Sequence, residues 1–311
     1  MLMSDPPLLS SSTTAFNTAL ASIITNKARV IFPSLSLWYA SILIVILRMI
    51  RKVLHRIYST YSLFMFGLGF LLMLPFFMLM IWIRPLQRYL YIVHHIWAAF
   101  FLGFSFVPWN ILYHYRPKRR RQYVVCSNHF SILDIVTMGF LPINALFVGK
   151  SSLGKLPLFG YMFRKLHITV DRSSLKDRYR ALQKSMLAVD RGMSLIMFPE
   201  GGVQSDCPPR MARFKEGPFR VAIEKQIPVL PVTFPYNWLI LPDDKTYLLY
   251  PQTVRMVVHQ PIETKGMSIA DLPALQQQVY QIIDQELKKY NRDEDRQRNP
   301  AENCAPGTAG I

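Results

Sequence analysis

Cysteine is scarce in this sequence of 311 residues, and acidic residues are almost absent from its first part. The three cysteines, Cys126, Cys207 and Cys304, are an odd number without a C-x-x-C pair, which argues against a disulfide framework and a zinc knuckle. No Gly-x-Ser-x-Gly motif occurs, so the nucleophile elbow of α/β-hydrolases is missing. No dense group of His, Cys and Asp indicates a metal site. We therefore expect neither a bound metal nor a resident cofactor.

Basic and apolar residues are abundant instead. The sequence has 36 Lys and Arg against 19 Asp and Glu, a formal net charge of +17, and 51% of its residues are hydrophobic. Residues 1–121 hold 13 Lys and Arg but one acid, Asp5, whereas residues 122–311 hold 23 basic and 18 acidic residues. Because the basic excess accompanies the apolar half, we expect anionic membrane lipids as a partner and no nucleic acid.

Three apolar stretches in the first half contain no Asp, Glu, Lys or Arg: residues 31–47, 62–83 and 89–115. A helix needs about 20 apolar residues to cross a bilayer core, so the second stretch qualifies, the third qualifies by length, and the first is marginal. Basic residues flank the second stretch on both sides, which leaves its orientation open. A spanning hairpin and a helical pair that dips into one leaflet both fit, and we favour the pair, with both ends cytosolic.

From about residue 122 the pattern changes to short β-rich runs that alternate with amphipathic helices. Apolar residues at spacings of three and four indicate helices over residues 175–189 and 272–290. The strand candidates are residues 123–126, 145–148, 168–170, 195–198, 229–234 and 254–259. This alternation predicts an α/β fold with a mixed, mostly parallel sheet flanked by helices, preceded by an N-terminal membrane-embedded helical segment.

The composition divides the chain into four parts. Residues 1–48 form an N-terminal extension that could add a membrane-contacting helix, and residues 49–121 form membrane-anchoring helices with basic flanks. Residues 122–290 form the predicted catalytic domain, and residues 291–311, rich in charged and small residues, form a disordered tail.

The most informative segment follows the first predicted strand and contains His129 and Asp134, five residues apart. On one regular helix this spacing would place them on different faces. They can meet if His129 lies in the strand-to-helix turn and Asp134 lies one turn into the helix. An aspartate bonded to Nδ1–H would fix the tautomer and leave Nε2 free to take a proton from an alcohol. We expect the neighbouring Cys126 to be buried strand core rather than a nucleophile.

Further motifs follow later strands. Glu200, Gly201 and Gly202 come directly after an apolar strand, where glycines let backbone N–H groups approach an anion. The run from Arg213 to Pro218, which includes Lys215, opens a helix, whose N-terminus also favours anions.

In this order the blocks resemble the glycerolipid acyltransferase family, best known for 1-acylglycerol-3-phosphate acyltransferases. The resemblance rests on His-x4-Asp, on Asp171-Arg172, on Phe-Pro-Glu-Gly ending at Gly201 and on the proline-flanked strand around Pro231. It implies a membrane-bound enzyme that moves an acyl chain from a thioester donor, acyl-CoA or acyl-carrier protein, to the hydroxyl of lysophosphatidate to give phosphatidate. The active site would face the cytosol at the inner or endomembrane leaflet.

The resemblance also implies roles for individual residues. His129 would be the general base and Asp134 its orienting partner. By the resemblance, Lys150, Arg172, Glu200 and Gly201 would bind the acceptor phosphate or shape its pocket. Gly202, Arg213 and Lys215 are further candidates for substrate binding because of their positions in the anion-favouring segments. Pro231 would shape the acyl-donor side.

The sequence departs from the family after Phe-Pro-Glu-Gly. Gly202 and Val203 stand where the family usually has Thr or Ser followed by Arg. Arg210, Arg213 and Lys215 are candidates to replace that arginine. Otherwise the acceptor is another lysophospholipid or a lyso-aminolipid, and a catalytically silent membrane-binding protein with this fold is the third alternative.

Overall fold

The computed structural model describes residues 35–203, 208–244 and 246–291. The chain divides into two compact units, Met1–Tyr58 and Ser59–Ile311. Nearly all of the described elements belong to the second unit. The predicted tail at residues 291–311, except for Asn291, and the greater part of the predicted extension at residues 1–48 lie outside the described residues.

Long and short helices alternate with strands along the described chain. Helix α1, Leu35–Trp82, contains Pro75, and helix α2, Leu90–Phe104, follows after a short 3₁₀ segment at Arg84–Tyr89. The further helices are α3 (Leu133–Thr137), α4 (Phe159–Leu166), α5 (Leu175–Asp190), α6 (Gly217–Glu224), α7 (Asn237–Ile240) and α8 (Leu272–Asn291). The helices predicted at residues 175–189 and 272–290 are therefore confirmed as α5 and α8.

Seven strands form one sheet. They are β1 (Trp109–Tyr113), β2 (Val124–Ser127), β3 (Ala145–Lys150), β4 (Ile168–Val170), β5 (Ser194–Met197), β6 (Val229–Thr233) and β7 (Val254–Val258). Their order is β1-β7-β6-β2-β5-β3-β4, and all neighbours are parallel except β6 and β7. The predicted α/β fold with a mixed, mostly parallel sheet is confirmed, and all six predicted strands are present.

Two apolar cores stabilise the second unit, one between helices and the sheet and one among helices. One core joins strand residues such as Val124 and Leu195 to residues of α5, α6 and α8, among them Val221 and Val279. The other joins residues of α1, α2 and α4, among them Phe77. The amphipathic stripes predicted for α5 and α8 exist because their apolar faces cover this sheet.

The third apolar stretch, residues 89–115, is not one membrane-crossing helix, as its length had suggested. Its first part is α2, with 15 residues, and its last part is strand β1, which pairs with β7 through Trp109–Val254 to Tyr113–Val258. A bilayer core needs about 20 residues of helix. Within the described residues, Ile42–Trp82 is the one segment long and apolar enough to cross a membrane.

Candidate active site

The candidate site residues gather at one edge of the sheet. Strands β6, β2, β5, β3 and β4 run in the same direction, so their carboxyl ends meet at the same edge. This edge is where open α/β sheets bind ligands. The residues that end or follow these strands are His129 after β2, Lys150 in β3, Arg172 after β4, Glu200 after β5 and Asn237 after β6.

His129 and Asp134 are in direct contact. His129 lies in the turn after β2, and Asp134 is the second residue of α3. The Nδ1 atom of His129 is 3.0 Å from Oδ2 of Asp134, and both side chains are buried. The imidazole also stacks on the Phe198 ring at 4.0 Å. The contact expected from the spacing is present, although Asp134 lies in the first turn of α3 rather than one turn into the helix. The carboxylate accepts Nδ1–H, which leaves Nε2 as a proton acceptor.

Asp134 is itself held by three further donors. Its Oδ2 atom accepts the backbone N–H groups of Phe130, at 2.9 Å, and Ser131, at 3.0 Å. Its Oδ1 atom accepts Nδ2–H of Asn237 at 2.9 Å. A buried carboxylate is stable only when it is hydrogen-bonded in this way. The turn and α7 together therefore fix the carboxylate that orients His129.

Glu200 joins the His129 turn to the loop before α6. Its Oε1 atom accepts the backbone N–H of His129 at 2.7 Å, and its Oε2 atom accepts that of Ala212 at 2.8 Å. The side chain is fully buried. Burial raises the pKa of Glu200 from its ordinary value of 4.5 to about 7, against the opposing effect of the two N–H donors. Through these two hydrogen bonds, Glu200 fixes the position of the His129 turn.

The raised pKa of Glu200 predicts a pH-dependent stability. Between pH 4.5 and 7 the folded protein holds this proton more tightly than the unfolded chain does, so the free energy of unfolding falls as pH rises through that window. The expected loss from this group is about 3 kcal/mol. Denaturation of wild type and Glu200→Gln across this range would measure it, since other titrating groups cancel in the difference. A difference that stays constant with pH would contradict the raised pKa.

The paired glycines form a turn that only glycine adopts readily. Gly201 has φ of +85° and Gly202 has φ of +149°. A Cβ atom on Gly201 would lie 3.7 Å from Cγ and Cε of Lys215, so the Lys215 stem lies beside this turn. The backbone N–H of Lys215 donates to the Pro199 carbonyl at 2.7 Å. The structure thus brings Gly201 and Lys215 together at the end of β5.

The remaining predicted residues lie farther from His129. Lys150 and Arg172 end neighbouring strands, and burial lowers the pKa of the Arg172 guanidinium. Arg213 is exposed and lines a second cavity of about 420 Å³ beside Tyr280. Pro231 is buried within β6, in register with Cys126, and does not line either cavity described here. No hydrogen bond or ion pair joins these four residues to the imidazole of His129, so their roles stay predictions.

A cysteine nucleophile and a metal ion are the two other chemistries that could act at such a site. Cys126 is fully buried in β2, and burial raises the pKa of its thiol far above the ordinary value, which makes it a poor nucleophile. In the described part of the chain, no three His, Cys, Asp or Glu side chains are grouped so that they could hold a metal ion. Cys207 and Cys304 lie outside the described residues.

An apolar cavity of about 780 Å³ adjoins the site. The helix that follows His129 contributes Ile132, Leu133, Ile135 and Val136 to its wall. Other wall residues come from α1 between Ser59 and Leu71, from α2, and from the segment between β3 and β4. Its volume is in the range of small-molecule and lipid sites in proteins. The site can therefore combine a proton acceptor with a place for a long apolar group.

Sequence reasoning missed two buried asparagines that build the site. Asn128 exchanges hydrogen bonds with Phe234: its Nδ2–H donates to the Phe234 carbonyl at 3.0 Å, and its Oδ1 accepts the Phe234 N–H at 2.9 Å. Asn237 holds Asp134, as described above. The signal available was the position of Asn237 shortly after the proline-flanked strand, but it has meaning only once β6 is known to lie beside β2.

The chain is similar to known acyltransferases. A family model described as Acyltransferase matches residues 111–235. The chain is 30% identical over 206 residues to a 1-acyl-sn-glycerol-3-phosphate acyltransferase of Chlamydomonas reinhardtii, covering 63% of this chain and 61% of that protein. It is 31% identical over 140 residues to the chloroplastic 1-acyl-sn-glycerol-3-phosphate acyltransferase BAT2 of Brassica napus, covering 45% of this chain and 40% of that protein.

The fold also matches a solved structure. The 1-acyl-sn-glycerophosphate acyltransferase PlsC from Thermotoga maritima aligns with a TM-score of 0.62 and 21% sequence identity, over 78% of this chain and 97% of that chain. At this identity the likeness shows the fold alone. The chain spans only 61% and 40% of the length of the two curated relatives. The segment matched by the family model contains every site residue predicted from the sequence, from His129 to Pro231, whereas Asn237 lies just beyond it.

Proposed function

We propose that this chain, which belongs to the glycerolipid acyltransferase family, moves an acyl chain from a thioester donor to the free hydroxyl of lysophosphatidate to give phosphatidate. The observation that carries the proposal is the 3.0 Å contact between His129 Nδ1 and Asp134 Oδ2, placed beside an apolar cavity. An imidazole oriented by a buried carboxylate is suited to removing a proton from an alcohol.

The proposed reaction needs one proton acceptor. Nε2 of His129 takes the proton of the acceptor hydroxyl as the oxygen attacks the thioester carbonyl. The tetrahedral intermediate then collapses, the C–S bond breaks, and the thiolate receives the proton from the imidazolium. Asp134 keeps Nδ1 protonated and stabilises the positive ring in between. General-base help of this kind contributes about 10²- to 10⁴-fold in rate, and correct placement of both substrates contributes more.

Basic side chains at the carboxyl edge of the sheet are positioned to bind the acceptor phosphate. Lys150 is two strands from β2 and Arg172 is three, which is about 10 and 14 Å at the usual strand spacing. Lys215 lies beside Gly201, which is in the turn that follows the nearer strand, β5. Arg172 makes no ion pair among the described residues, so an anion could satisfy it. These cations take the place of the arginine that is absent at Val203.

The cavity would hold the acyl chain. Its wall is apolar over nearly all of its extent, and it begins at the helix that follows His129. Burying an alkyl chain there stabilises the complex by about 0.8 kcal/mol for each CH₂ group removed from water. This binding energy would position the thioester carbonyl next to Nε2 of His129.

The proposal places the protein at a membrane. Apolar side chains of the second unit are exposed on the helical part, for example Leu63 at 65%, Trp82 at 76% and Phe106 at 75%. Exposed apolar surface of this kind marks a membrane or protein interface. Basic residues between 116 and 121 would contact anionic lipid headgroups, and Arg119 lies 4.9 Å from the Tyr91 ring. The active site would face the cytosolic side of the inner or endomembrane leaflet.

A panel of acceptors with one labelled acyl-CoA tests the proposed function. Purified protein in vesicles should acylate lysophosphatidate with a kcat/KM at least about tenfold above that for lysophosphatidylcholine or a lyso-aminolipid, because only the phosphomonoester matches the cations. Arg172→Gln should reduce this preference, whereas Arg178→Gln on the exposed side of α5 should leave it unchanged.

Each other outcome identifies a different function. Val203 is the observation that favours a different acceptor, and equal or faster acylation of another lysophospholipid would establish that alternative. Absence of transfer to every acceptor would instead indicate the catalytically silent membrane-binding protein.

A further inference from the structure

The apolar cavity is elongated along helix α1, so its two ends can be distinguished. Helices α1 and α2 are antiparallel, since the Tyr61 hydroxyl donates to the Phe104 carbonyl at 2.9 Å and Phe77 packs on His94 with ring centres 5.8 Å apart. The α1 part of the wall extends from Ser59 to Leu71, about 18 Å along the helix axis. One end of the cavity is therefore at Ser59, and the other is near Leu71 and His94.

The turn that carries His129 lies at the Ser59 end. The Ser131 hydroxyl donates to the Leu241 carbonyl at 2.6 Å. The next contacts join Tyr250 N–H to the Ile240 carbonyl at 2.7 Å and Leu249 N–H to the Ser59 hydroxyl at 3.0 Å. This chain of hydrogen bonds runs from the candidate active site to Ser59. The opposite end of the cavity would then receive the methyl half of an acyl chain.

Two histidines line the cavity at that far end. His94 of α2 and His167 before β4 stack with ring centres 5.2 Å apart and planes at 26°. We call them the imidazole pair. Aromatic rings surround the pair, with Phe147 5.6 Å from His94 and Phe163 4.9 Å from His167. Burial lowers the pKa of His167 well below its ordinary value, so the ring is neutral at physiological pH.

The hydrogen bonds of the imidazole pair are incomplete. Nδ1 of His167 accepts the Phe147 N–H at 3.3 Å, which leaves Nε2–H as a donor. Among the described residues, neither Nε2–H of His167 nor the His94 ring has a hydrogen-bond partner. When an acyl chain fills the cavity and excludes water, a polar group left there without a partner costs about 1–3 kcal/mol. A polar atom inside the cavity would remove that cost, whereas an all-hydrocarbon chain would not.

We propose that the imidazole pair binds a hydroxyl group on the methyl half of the acyl chain, which makes a hydroxylated acyl thioester a preferred donor. A hydroxyl suits the pair because it accepts one hydrogen bond and donates another, and a neutral imidazole pair offers both. The inference rests on the proposed function, in which the cavity holds the acyl chain.

Positional isomers of the donor test the inference with the unaltered protein. Three acyl-CoA donors of equal length are compared: a plain chain, one with a hydroxyl in its carboxyl half and one with a hydroxyl in its methyl half. We expect the last to have the highest kcat/KM, about tenfold above the plain chain, which is the effect of one gained hydrogen bond and the relief of a buried donor. A plain chain that equals or exceeds both hydroxylated donors would overturn the inference.

Substitutions of His94 test whether the imidazole pair causes the preference for the hydroxylated donor. His94→Phe keeps an aromatic ring in the stack but removes its nitrogens, and it should abolish the preference for the hydroxylated donor while plain chains are still transferred. His94→Gln should retain part of the preference. Leu71→Phe alters the same end of the wall without touching the nitrogens, so the donor ratio should stay as in wild type. A His94→Phe ratio equal to wild type would show that the pair acts in packing alone.

These outcomes separate the two proposals. If no donor is transferred, the proposed function fails. If plain donors are transferred but position and substitution have no effect, only the imidazole-pair inference fails. If His94→Phe does not fold, the positional series with the wild-type protein still decides the question.

Discussion

His129→Ala is expected to lower kcat for acyl transfer by about 10³-fold or more, which corresponds to about 4 kcal/mol of lost transition-state stabilisation. The imidazole is the proton acceptor in the proposed reaction, and its Nδ1 already contacts Asp134 at 3.0 Å. Alanine leaves no group in its place that could take the hydroxyl proton. The measurement is initial transfer rates from a labelled acyl-CoA to lysophosphatidate in purified vesicles.

The loss should not reflect unfolding or detachment from the membrane. Glu200 binds the backbone N–H of His129 and not its ring, so the turn keeps its anchor in the alanine variant. His259→Ala is the matched control, because His259 is another buried histidine, and its ring is bonded to Thr233 at 2.8 Å rather than to His129 or Asp134. It should cost stability but leave kcat within a few-fold. Near-normal turnover by folded, vesicle-bound His129→Ala would refute the proposed role.

A strand could be predicted from the sequence wherever it was a short run of β-favouring residues bounded by polar residues. All six strands predicted from such runs are present, and residues 168–170 coincide with β4. Strand β1 was missed because its residues continue an uncharged apolar stretch and have no buried face of their own. A short apolar run of this kind cannot be divided into helix and strand by periodicity. Its pairing with β7, more than 140 residues later, decides the conformation.

The contact between His129 and Asp134 was predictable because it is local. The five-residue separation of His129 and Asp134 allows a contact in a strand-to-helix turn, and no other part of the chain is needed to see this. The supporting contacts are not local: Glu200 and Asn237 reach the turn from positions 71 and 103 residues later in the chain. They depend on the order of β6, β2 and β5 in the sheet, which follows from packing of the whole domain. The same limit applies to the imidazole pair, whose members belong to two distant elements.

Asp134→Asn is expected to lower kcat by about 10³-fold while KM changes little, because Asp134 is fully buried and acts on the substrate only through His129. The charge that keeps Nδ1 protonated and balances the imidazolium disappears. The variant should remain folded. Asn237 Oδ1 has no partner among the described residues. The Asn237 amide can therefore rotate, so that its Oδ1 accepts a hydrogen bond from the side-chain NH₂ group introduced at position 134. Steady-state kinetics with a thermal melt of each variant provide both readouts.

Thr137→Val is the matched control for this substitution, because Thr137 also contacts Asn237, at 3.4 Å, without touching Asp134. It should leave kcat within a few-fold.

The double variant His129→Ala with Asp134→Asn provides the sharper comparison. If the carboxylate acts only by orienting and balancing the imidazole, its loss adds nothing once the ring is gone, so the double variant should be no slower than His129→Ala alone. Losses that multiply would mean that Asp134 acts on the reaction independently, and the two side chains would then not form one catalytic unit.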